Sequence, residues 1–366
     1  MKLELLKKNL EDVVGVVSRV SNKNLSLPVL GCVVISATKN STTIQATNLD
    51  VSVEITLKSK VVSEGRVAVP AQIFNQAVSA STDEKLTLTE DGGVLKITTK
   101  HGEVKLNTVD PSDFPTLPFV KEGAGVSFIL PSKEFIRSLK GVVFASATSG
   151  MRPELSSVFV SVADGVLTCA ATDSFRLAEM RTQLKTKHSI EPVLIPARNI
   201  QDIMRVIGNS DTIEIRIGEN QITYITDGNY ITSRVIDGAF PEYHAIIPKD
   251  FTTLCTVLTE DMVKALRNVS VVADQTGQVE LSLSGKDGVF SVRGVNTQIG
   301  ETYEKLDAVI EGDDVSMNFN LRYILDALGA VSTDSVAFKF SGPGKPLILK
   351  EVPEKGFTYL VMPMNK

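Results

Sequence analysis

Six short segments of the chain show an amphipathic helical pattern, in which apolar residues recur at three- and four-residue intervals. Successive segments start 61 to 64 residues apart, which indicates an internal repeat. The predicted helices begin near Lys7, Pro70, Ser132, Pro196, Thr259 and Asn320.

Between the predicted helices lie alternating runs rich in β-branched residues, separated by Asp-Gly or glycine-rich turns. Residues 86–89, 94–97, 212–217 and 279–283 are examples. This alternation predicts antiparallel strands joined by tight turns. Each repeat is therefore predicted to be one helix followed by a small antiparallel meander.

Every second repeat is similar in finer detail, which groups the six repeats into three domains. Residues 44–50 resemble 168–173 and, more weakly, 291–296, while residues 113–115 resemble 239–241. A solenoid is disfavoured because its repeats span only about 20 to 50 residues. The chain of 366 residues is also longer than the ~250–300 residues that one core usually serves. The predicted domains are 1–124, 125–249 and 250–366.

Charge is distributed unevenly along the chain. The net charge of -5 argues against a protein that grips nucleic acid through uniform positive charge. In the six helical segments, however, Lys and Arg outnumber Asp and Glu by eleven to seven. Lys133, Arg137 and Lys140 share one helix face, and Arg198 and Arg205 share another. For any single helix, an ordinary solvated face remains the alternative interpretation.

The residues that could carry chemistry are sparse. Cys32, Cys169 and Cys255 are odd in number and far apart, which predicts buried free thiols rather than disulfides or zinc ligands. The three histidines are isolated, and no nucleophile or metal-ligand motif is present. We therefore predict no catalytic residue, no metal and no cofactor. Without a signal peptide or a bilayer-length apolar run, the sequence predicts a cytoplasmic protein with no membrane partner.

Four motifs, in their order and spacing, resemble the sliding-clamp family, the β subunits of bacterial DNA polymerase III. They are Leu27-Pro28-Val29-Leu30, the segment 171–178, the segment 237–241 and Val361-Met362-Pro363-Met364. The resemblance covers the full length and implies an α+β fold of three similar DNA-clamp domains. Each domain would have two helices packed on antiparallel sheets, and the chain would form half of a closed ring. A head-to-tail homodimer would encircle duplex DNA without sequence specificity, as a non-catalytic processivity factor that tethers the replicative polymerase.

The same resemblance implies residues that face DNA. They are Arg19, Lys23, Asn24, Lys133, Arg137, Lys140, Met151, Arg152, Arg198, Arg205, Lys264 and Arg267. Asn24 departs from the family, in which an arginine is usual at this position. A weakly positive lining suits a ring that slides, because strong phosphate contacts would anchor it.

The resemblance also implies a hydrophobic groove for short motifs of the DNA polymerase III catalytic subunit, the clamp loader, other polymerases and repair proteins. Its residues would be Leu155, Thr172, Ser174, Phe175, Arg176, Leu177, Pro241, Ile246, Val361, Met362, Pro363 and Met364. Ser174 and Phe175 depart from the usual Gly-His pair. The ring interface would use Val104 and Leu106 on one edge, and Val271 and Val272 on the other.

Three alternatives stay open at this point. A repeated-domain enzyme would need convergent acid, base or metal ligands, and the sequence shows none. A trimeric clamp built from two-domain subunits would show two repeats rather than three. A peptide-binding scaffold unrelated to DNA would share the groove but would not encircle a plasmid.

Overall fold

The computed structural model describes residues 1–21, 27–185, 189–273 and 276–364. Six α-helices lie in these ranges, and each begins within one residue of its predicted start. They are α1 (Lys7–Val20), α2 (Ala71–Ala80), α3 (Ser132–Lys140), α4 (Ala197–Ile207), α5 (Thr259–Ser270) and α6 (Leu321–Leu328). Pro70 and Pro196 are the last residues of the preceding strands rather than the first residues of the helices. Proline is tolerated at a strand end although its φ is fixed and it has no N–H to donate. No helix in the described ranges is long and apolar enough to cross a membrane.

The first of two compact units comprises Met1–Lys133 and Arg198–Val235. Its smaller sheet is formed by β1 (Lys2–Leu6), β5 (Lys60–Ser63), β7 (Lys85–Asp91), β8 (Val94–Thr98) and β9 (Glu103–Asn107), in the order β5-β1-β7-β8-β9. Its larger sheet is formed by β2 (Cys32–Ala37), β3 (Thr42–Thr47), β4 (Val51–Leu57), β6 (Gly65–Pro70), β10 (Val126–Pro131), β15 (Thr212–Ile217), β16 (Gln221–Thr226) and β17 (Asn229–Arg234), in the order β10-β15-β16-β17-β4-β3-β2-β6. Helices α1 and α2 pack against each other and on strands of these sheets.

The second unit comprises Glu134–Ala197 and Ile236–Lys366. Its larger sheet is formed by β11 (Ser157–Ala163), β12 (Val166–Thr172), β13 (Arg176–Gln183), β14 (Ile190–Pro196), β18 (Thr253–Leu258), β22 (Val309–Gly312), β24 (Ser335–Phe340), β25 (Leu347–Val352) and β26 (Phe357–Val361), in the order β14-β11-β12-β13-β26-β25-β24-β18-β22. Its smaller sheet is formed by β19 (Gln278–Ser284), β20 (Val289–Asn296), β21 (Gly300–Asp307) and β23 (Val315–Asn320), in the order β21-β20-β19-β23. Helices α5 and α6 pack against each other.

The large sheets form because strands of different repeats pair with each other. In the first unit β17 pairs with β4, placing Ile231 opposite Val53. In the second unit β13 pairs with β26, placing Leu177 opposite Leu360. All strand pairs within the described ranges are antiparallel, as the alternating pattern predicts. The two compact units consequently share residues 125–249 between them.

The turn at residues 47–51 explains why this stretch recurs in the sequence. Asn48 Oδ1 accepts hydrogen bonds from the N–H groups of Asp50, at 3.0 Å, and Val51, at 2.7 Å. Leu49 lies between them with a positive φ of 75°. An asparagine side chain bonded to the backbone two residues on stabilises such a turn locally. This turn joins β3 to β4.

The three cysteines are buried free thiols, as the sequence predicts. Burial raises the pKa of the Cys169 thiol and raises that of Cys255 to about 12. The reactive thiolate forms only as pH rises through the raised pKa, so at about pH 8 the thiols stay protonated. We expect Ellman's reagent to label no cysteine in the native protein and three after denaturation. Fast labelling of the native protein would contradict this expectation.

Candidate peptide groove and basic helix faces

The turn between β12 and β13 repeats the one at Asn48 but adds an arginine. Asp173 Oδ1 accepts hydrogen bonds from the N–H groups of Phe175, at 2.9 Å, and Arg176, at 3.0 Å. Ser174 has a positive φ of 80°, a conformation that glycine adopts at lower cost. Arg176 thus occupies the position that Val51 has in the first turn. The two turns have the same backbone conformation, but the residue at the end of the turn is a valine in the first and an arginine in the second.

Arg176 is buried and paired with two carboxylates. Its Nε donates to Asp173 Oδ2 at 2.9 Å, and its Nη1 donates to Asp326 Oδ2 at 2.8 Å. The guanidinium also lies 4.2 Å from the ring centroid of Tyr323, a cation–π geometry. Burial alone would lower the pKa of Arg176, but the hydrogen bond to Asp326 and the nearby carboxylates raise it above its usual value. The arginine therefore stays charged and holds the turn, the strand and helix α6 together.

The C-terminal segment runs beside this turn. Arg176 is the register partner of Val361, the last residue of β26. The Met362 N–H donates to the Phe175 carbonyl at 2.9 Å, and the Met364 N–H donates to the Asn318 carbonyl at 2.8 Å. These bonds fix a terminus that would otherwise fray.

An apolar cluster lies beneath the turn and the C-terminal segment. Its buried members are Ala170, Leu177, Tyr243, Ile348 and Leu360, and Phe240 and Ile247 pack against them. The Tyr243 hydroxyl donates to Glu179 Oε2 at 2.7 Å, so the phenol remains satisfied inside the cluster. Burial and the adjacent Glu179 carboxylate raise the pKa of Tyr243. The cluster thereby connects segment 240–247, which carries Pro241 and Ile246, to β13 and β26.

The twelve residues expected in the groove divide into buried and accessible side chains. Leu155, Thr172, Arg176, Leu177 and Val361 are each 0 to 8 % exposed. Phe175, Ile246 and Met362 are 63 %, 56 % and 40 % exposed, and Ser174 and Pro241 are also exposed. Pro363 and Met364 are half-buried. The buried set supports the site, while the exposed apolar set offers surface that a ligand could cover.

In the first unit, the residues expected to face DNA include Arg19, Lys133, Arg198 and Arg205, all exposed. Arg198 pairs with Asp50 at 2.9 Å, and Arg205 pairs with Asp202 on its own helix at 2.9 Å. Lys23 and Asn24 lie outside the described residues. Among the described residues, no carboxylate lies within ion-pair distance of Arg19 or Lys133.

In the second unit, Lys140, Met151, Arg152, Lys264 and Arg267 are exposed. Lys264 forms an ion pair with Glu260 at 2.6 Å, one turn back on α5. This contact and the similar helical pairs partly neutralise the faces that the sequence predicts to be basic.

Arg137 differs from the other cations because its partner is buried. Its Nη2 lies 3.2 Å from Glu351 Oε2, and Glu351 is 0 % exposed. The same arginine donates to the Lys355 carbonyl at 3.1 Å, and the N–H and hydroxyl of Ser332 donate to Glu351 at 3.0 and 2.6 Å. Arg137 is thus committed to a buried carboxylate.

The residues expected at a ring interface lie at sheet and helix ends. Val104 and Leu106 are on β9, the edge strand of the five-stranded sheet, where Val104 is 41 % exposed and Leu106 9 %. Val271 is 78 % exposed directly after α5, and Val272 is half-buried. Strand β21 is an edge of the four-stranded sheet, a feature that the sequence analysis missed.

The sequence pattern also did not indicate the carboxylates that pair with Arg176 and Arg137. Asp326 is 150 residues from Arg176, and Glu351 is 214 residues from Arg137. Tyr323 and Asp326 are three residues apart and share a face of α6, which is the one local signal that could have pointed to a cation site. Within the described ranges, no group of three or more His, Cys, Asp or Glu side chains is arranged to hold a metal ion.

Known proteins are similar to this chain over its whole length. The beta sliding clamp of Synechocystis sp. is 28% identical over 100% of this chain and 99% of the relative, and that of Staphylococcus epidermidis is 28% identical over 93% of each. The DNA polymerase III beta subunit of Thermotoga maritima superposes with a TM-score of 0.92 at 24% identity, over 100% of this chain and 99% of its own. A Pseudomonas aeruginosa sliding clamp, solved bound to griselimycin, superposes with a TM-score of 0.92 at 22% identity over 100% of both chains.

Three sequence models of one family match consecutive parts of the chain. The N-terminal domain of the DNA polymerase III beta subunit matches residues 1–118, the central domain matches 129–242 and the C-terminal domain matches 244–365. The three-domain α+β fold expected from the sequence is therefore confirmed, and this protein belongs to the DNA polymerase III beta subunit family.

Proposed function

We propose that this protein is a sliding clamp, a non-catalytic ring that encircles duplex DNA and tethers the replicative polymerase. The observation that carries the proposal is the match of three consecutive beta-subunit domains to nearly the whole chain. A trimeric clamp of two-domain subunits would not have three such domains. An enzyme finds no support in a family of non-catalytic processivity factors. We place the clamp in the cytoplasm, with domains 1–124, 125–249 and 250–366.

Topological retention on DNA is the direct test of the sliding clamp. The protein would be loaded onto a nicked circular plasmid by a clamp loader and separated from free protein by gel filtration. We expect it to stay with the circle and to leave when a restriction enzyme linearises the plasmid. Retention on the linear DNA would contradict encirclement and favour a scaffold that binds DNA directly.

A ring requires a head-to-tail dimer, and two open edges support one. Strands β9 and β21 each have one edge that pairs with no strand of the described chain. Unpaired edges that are not covered favour pairing with another chain. Because the two edges differ, they form a heterologous contact, which closes into a ring only if the rotation suits. We assign Val104, Leu106, Val271 and Val272 to this contact.

The substitution Val271→Asp should break the dimer. Val271 is 78 % exposed in the single chain, so an aspartate is tolerated there without disturbing the fold. In the dimer its carboxylate would be buried without a partner, which raises the dissociation constant at least about a hundredfold. Sedimentation velocity should show monomer with an unchanged circular dichroism spectrum. Val126→Asp, on the exposed valine of β10, is the matched control and should leave the dimer intact.

We assign the DNA-facing role to the twelve residues expected from the resemblance. One of them, Arg137, also pairs with buried Glu351, and it therefore provides a contrast with Lys140. Replacing the exposed Lys140 by alanine should remove about one phosphate contact. The slope of the logarithm of the DNA-binding constant against the logarithm of the salt concentration should become correspondingly shallower. Replacing Arg137 by methionine should instead lower stability by about 1–3 kcal/mol, because Glu351 would keep only the hydrogen bonds of Ser332. Anisotropy titrations at several salt concentrations and urea unfolding measure the two effects. A normal unfolding midpoint with a reduced salt slope in Arg137→Met would assign Arg137 to DNA alone.

The accessible apolar side chains Phe175, Ile246 and Met362 support a groove for short hydrophobic motifs of polymerases, the clamp loader and repair proteins. A Pseudomonas aeruginosa sliding clamp of the same fold was solved bound to griselimycin, so a protein of this fold can hold a ligand. Ser174 and Phe175 place an exposed aromatic ring at the turn, and we expect the preferred motif to carry an apolar residue there.

A further inference from the structure

An open cleft of about 520 Å³ lies in the first unit, and none of its lining residues belongs to a site assigned above. Leu5, Leu6 and Leu86 border the cleft; Leu6 is 47 % exposed, whereas Leu5 and Leu86 are 6 % and 1 % exposed and belong to the core. Lys58, Lys60 and Lys85 also line the cleft. One exposed leucine, Leu6, and three lysines therefore meet at one concave surface of the first unit.

The strand register places more lysines on the same outer face of the sheet. Lys2 of β1 is opposite Thr89 of β7, Thr89 is opposite Lys96 of β8, and Lys96 is opposite Lys105 of β9. Adjacent strands are about 4.8 Å apart, so three lysines fall on one row across four strands. A ligand in the cleft can reach this row if it is an extended chain.

Positive charge exceeds negative charge on this face. The six lysines face three acidic residues of the same face, namely Glu4, Asp91 and Glu103. Glu4 is already paired with Lys60 at 3.0 Å, and Glu103 with Lys105 at 3.2 Å. The hydrogen bond from Lys60, with the charges of Lys2 and Lys85, lowers the pKa of Glu4. Four lysines, Lys2, Lys58, Lys85 and Lys96, have no ion pair with any described residue.

The composition of the face distinguishes between two kinds of anionic partner. Single-stranded nucleic acid binds surfaces on which bases stack on aromatic side chains. No aromatic residue occurs at the outward positions of β1, β7, β8 and β9. A nucleic acid backbone would also leave the leucine-lined cleft unused. A peptide with carboxylates and one apolar side chain would use both features.

We propose that this face docks an acidic protein segment that inserts one apolar anchor residue into the cleft. The lysine row binds the carboxylates, and the exposed side chain of Leu6 in the cleft contacts the anchor. Exposed ion pairs are individually weak and screened by salt. The apolar anchor fixes the position of the segment along the sheet. This site shares no residue with the groove at Arg176 and does not depend on the protein acting as a clamp.

The probe is a short fluorescein-labelled peptide of aspartate and glutamate with a central Leu-Phe pair, titrated with the full chain and followed by anisotropy. We expect salt-sensitive binding, and about tenfold weaker binding by the double variant Lys58→Glu, Lys85→Glu. The double variant Lys39→Glu, Lys345→Glu changes the net charge equally at exposed positions elsewhere and should bind normally. Leu6→Ser should weaken the Leu-Phe peptide about threefold or more while leaving a peptide with Ala-Ala at its centre unchanged.

Several results would overturn the proposal. They are an absence of binding by the unaltered protein, equal losses in both double variants, and equal affinity for the Leu-Phe and Ala-Ala peptides. A fluorescein-labelled oligothymidine that binds more tightly than the peptide, and is lost in Lys58→Glu, Lys85→Glu, would assign the face to nucleic acid instead. Displacement of the probe by a clamp-motif peptide would place it in the groove. None of these measurements involves loading on DNA, so their outcome is independent of the clamp test.

Discussion

Replacing Arg176 by methionine should destabilise the second unit by roughly 2–4 kcal/mol and abolish motif-peptide binding. Methionine keeps the apolar part of the side chain but leaves Asp173 and Asp326 without their cation. Removing one partner of a buried pair is more harmful than replacing the whole pair, because an uncompensated charge remains. Asp326 is 31 % exposed, so its carboxylate can regain some hydration after the substitution. We therefore expect a smaller loss of stability than breaking a fully buried ion pair would cause.

Urea unfolding followed by circular dichroism measures the stability effect, and anisotropy with a clamp-motif peptide measures the binding effect. Arg181→Met is the matched control, since Arg181 is an exposed arginine of the same strand. Arg176→Lys should recover little, because an ammonium cannot direct hydrogen bonds to two carboxylates in fixed directions. Equal unfolding midpoints for Arg176→Met and Arg181→Met would mean that the ion pairs contribute nothing to the fold.

The helices could be predicted closely because their signals are local. In α4 the apolar residues Ile200, Ile203 and Ile207 repeat at helical spacing and are all buried in the structure. The turn at Asn48 was visible as a sequence repeat because its hydrogen bonds join residues two and three apart. Features of this kind need no knowledge of the rest of the chain.

The pairing of strands from different repeats could not be predicted, because alternation identifies a strand but not its neighbour. Nothing near Ile231 in the sequence indicates that it faces Val53. For the same reason, the ion pair of Arg137 could not be predicted. Arg137 has the helix-face spacing expected of a DNA contact, but it pairs with buried Glu351. Sequence pattern alone does not distinguish a solvated cation from one whose partner comes from a distant strand.

The repeat also explains where the candidate groove is located. The turns at Asn48 and Asp173 have the same backbone hydrogen bonds, but Arg176 replaces Val51. Strand β13 then pairs with β26, whose chain continues into Met362. The groove therefore lies where an ordinary turn of the repeat meets a segment that has no counterpart in the other repeats.

Removing residues 362–366 should consequently weaken motif-peptide binding on the order of thirtyfold or more, since a few anchor residues usually dominate such interfaces. Met362 is accessible, flexible and apolar, which suits contact with varied ligands. The fold should lose only about 1–3 kcal/mol, from the hydrogen bonds of Met362 to Phe175 and of Met364 to Asn318. Removing residues 360–366 should be far more damaging, because Leu360 and Val361 are buried in the sheet.

Isothermal titration calorimetry with a clamp-motif peptide and urea unfolding separate the two effects of the shorter truncation. The dimer should persist in sedimentation velocity, because residues 362–366 are not among those assigned to the ring interface. Met362→Ala should reproduce part of the loss in peptide affinity, whereas Met151→Ala, at a methionine that is 89 % exposed, should not. Unchanged peptide affinity after the truncation would remove the C-terminal segment from the groove and leave the turn at Arg176 as the site to test.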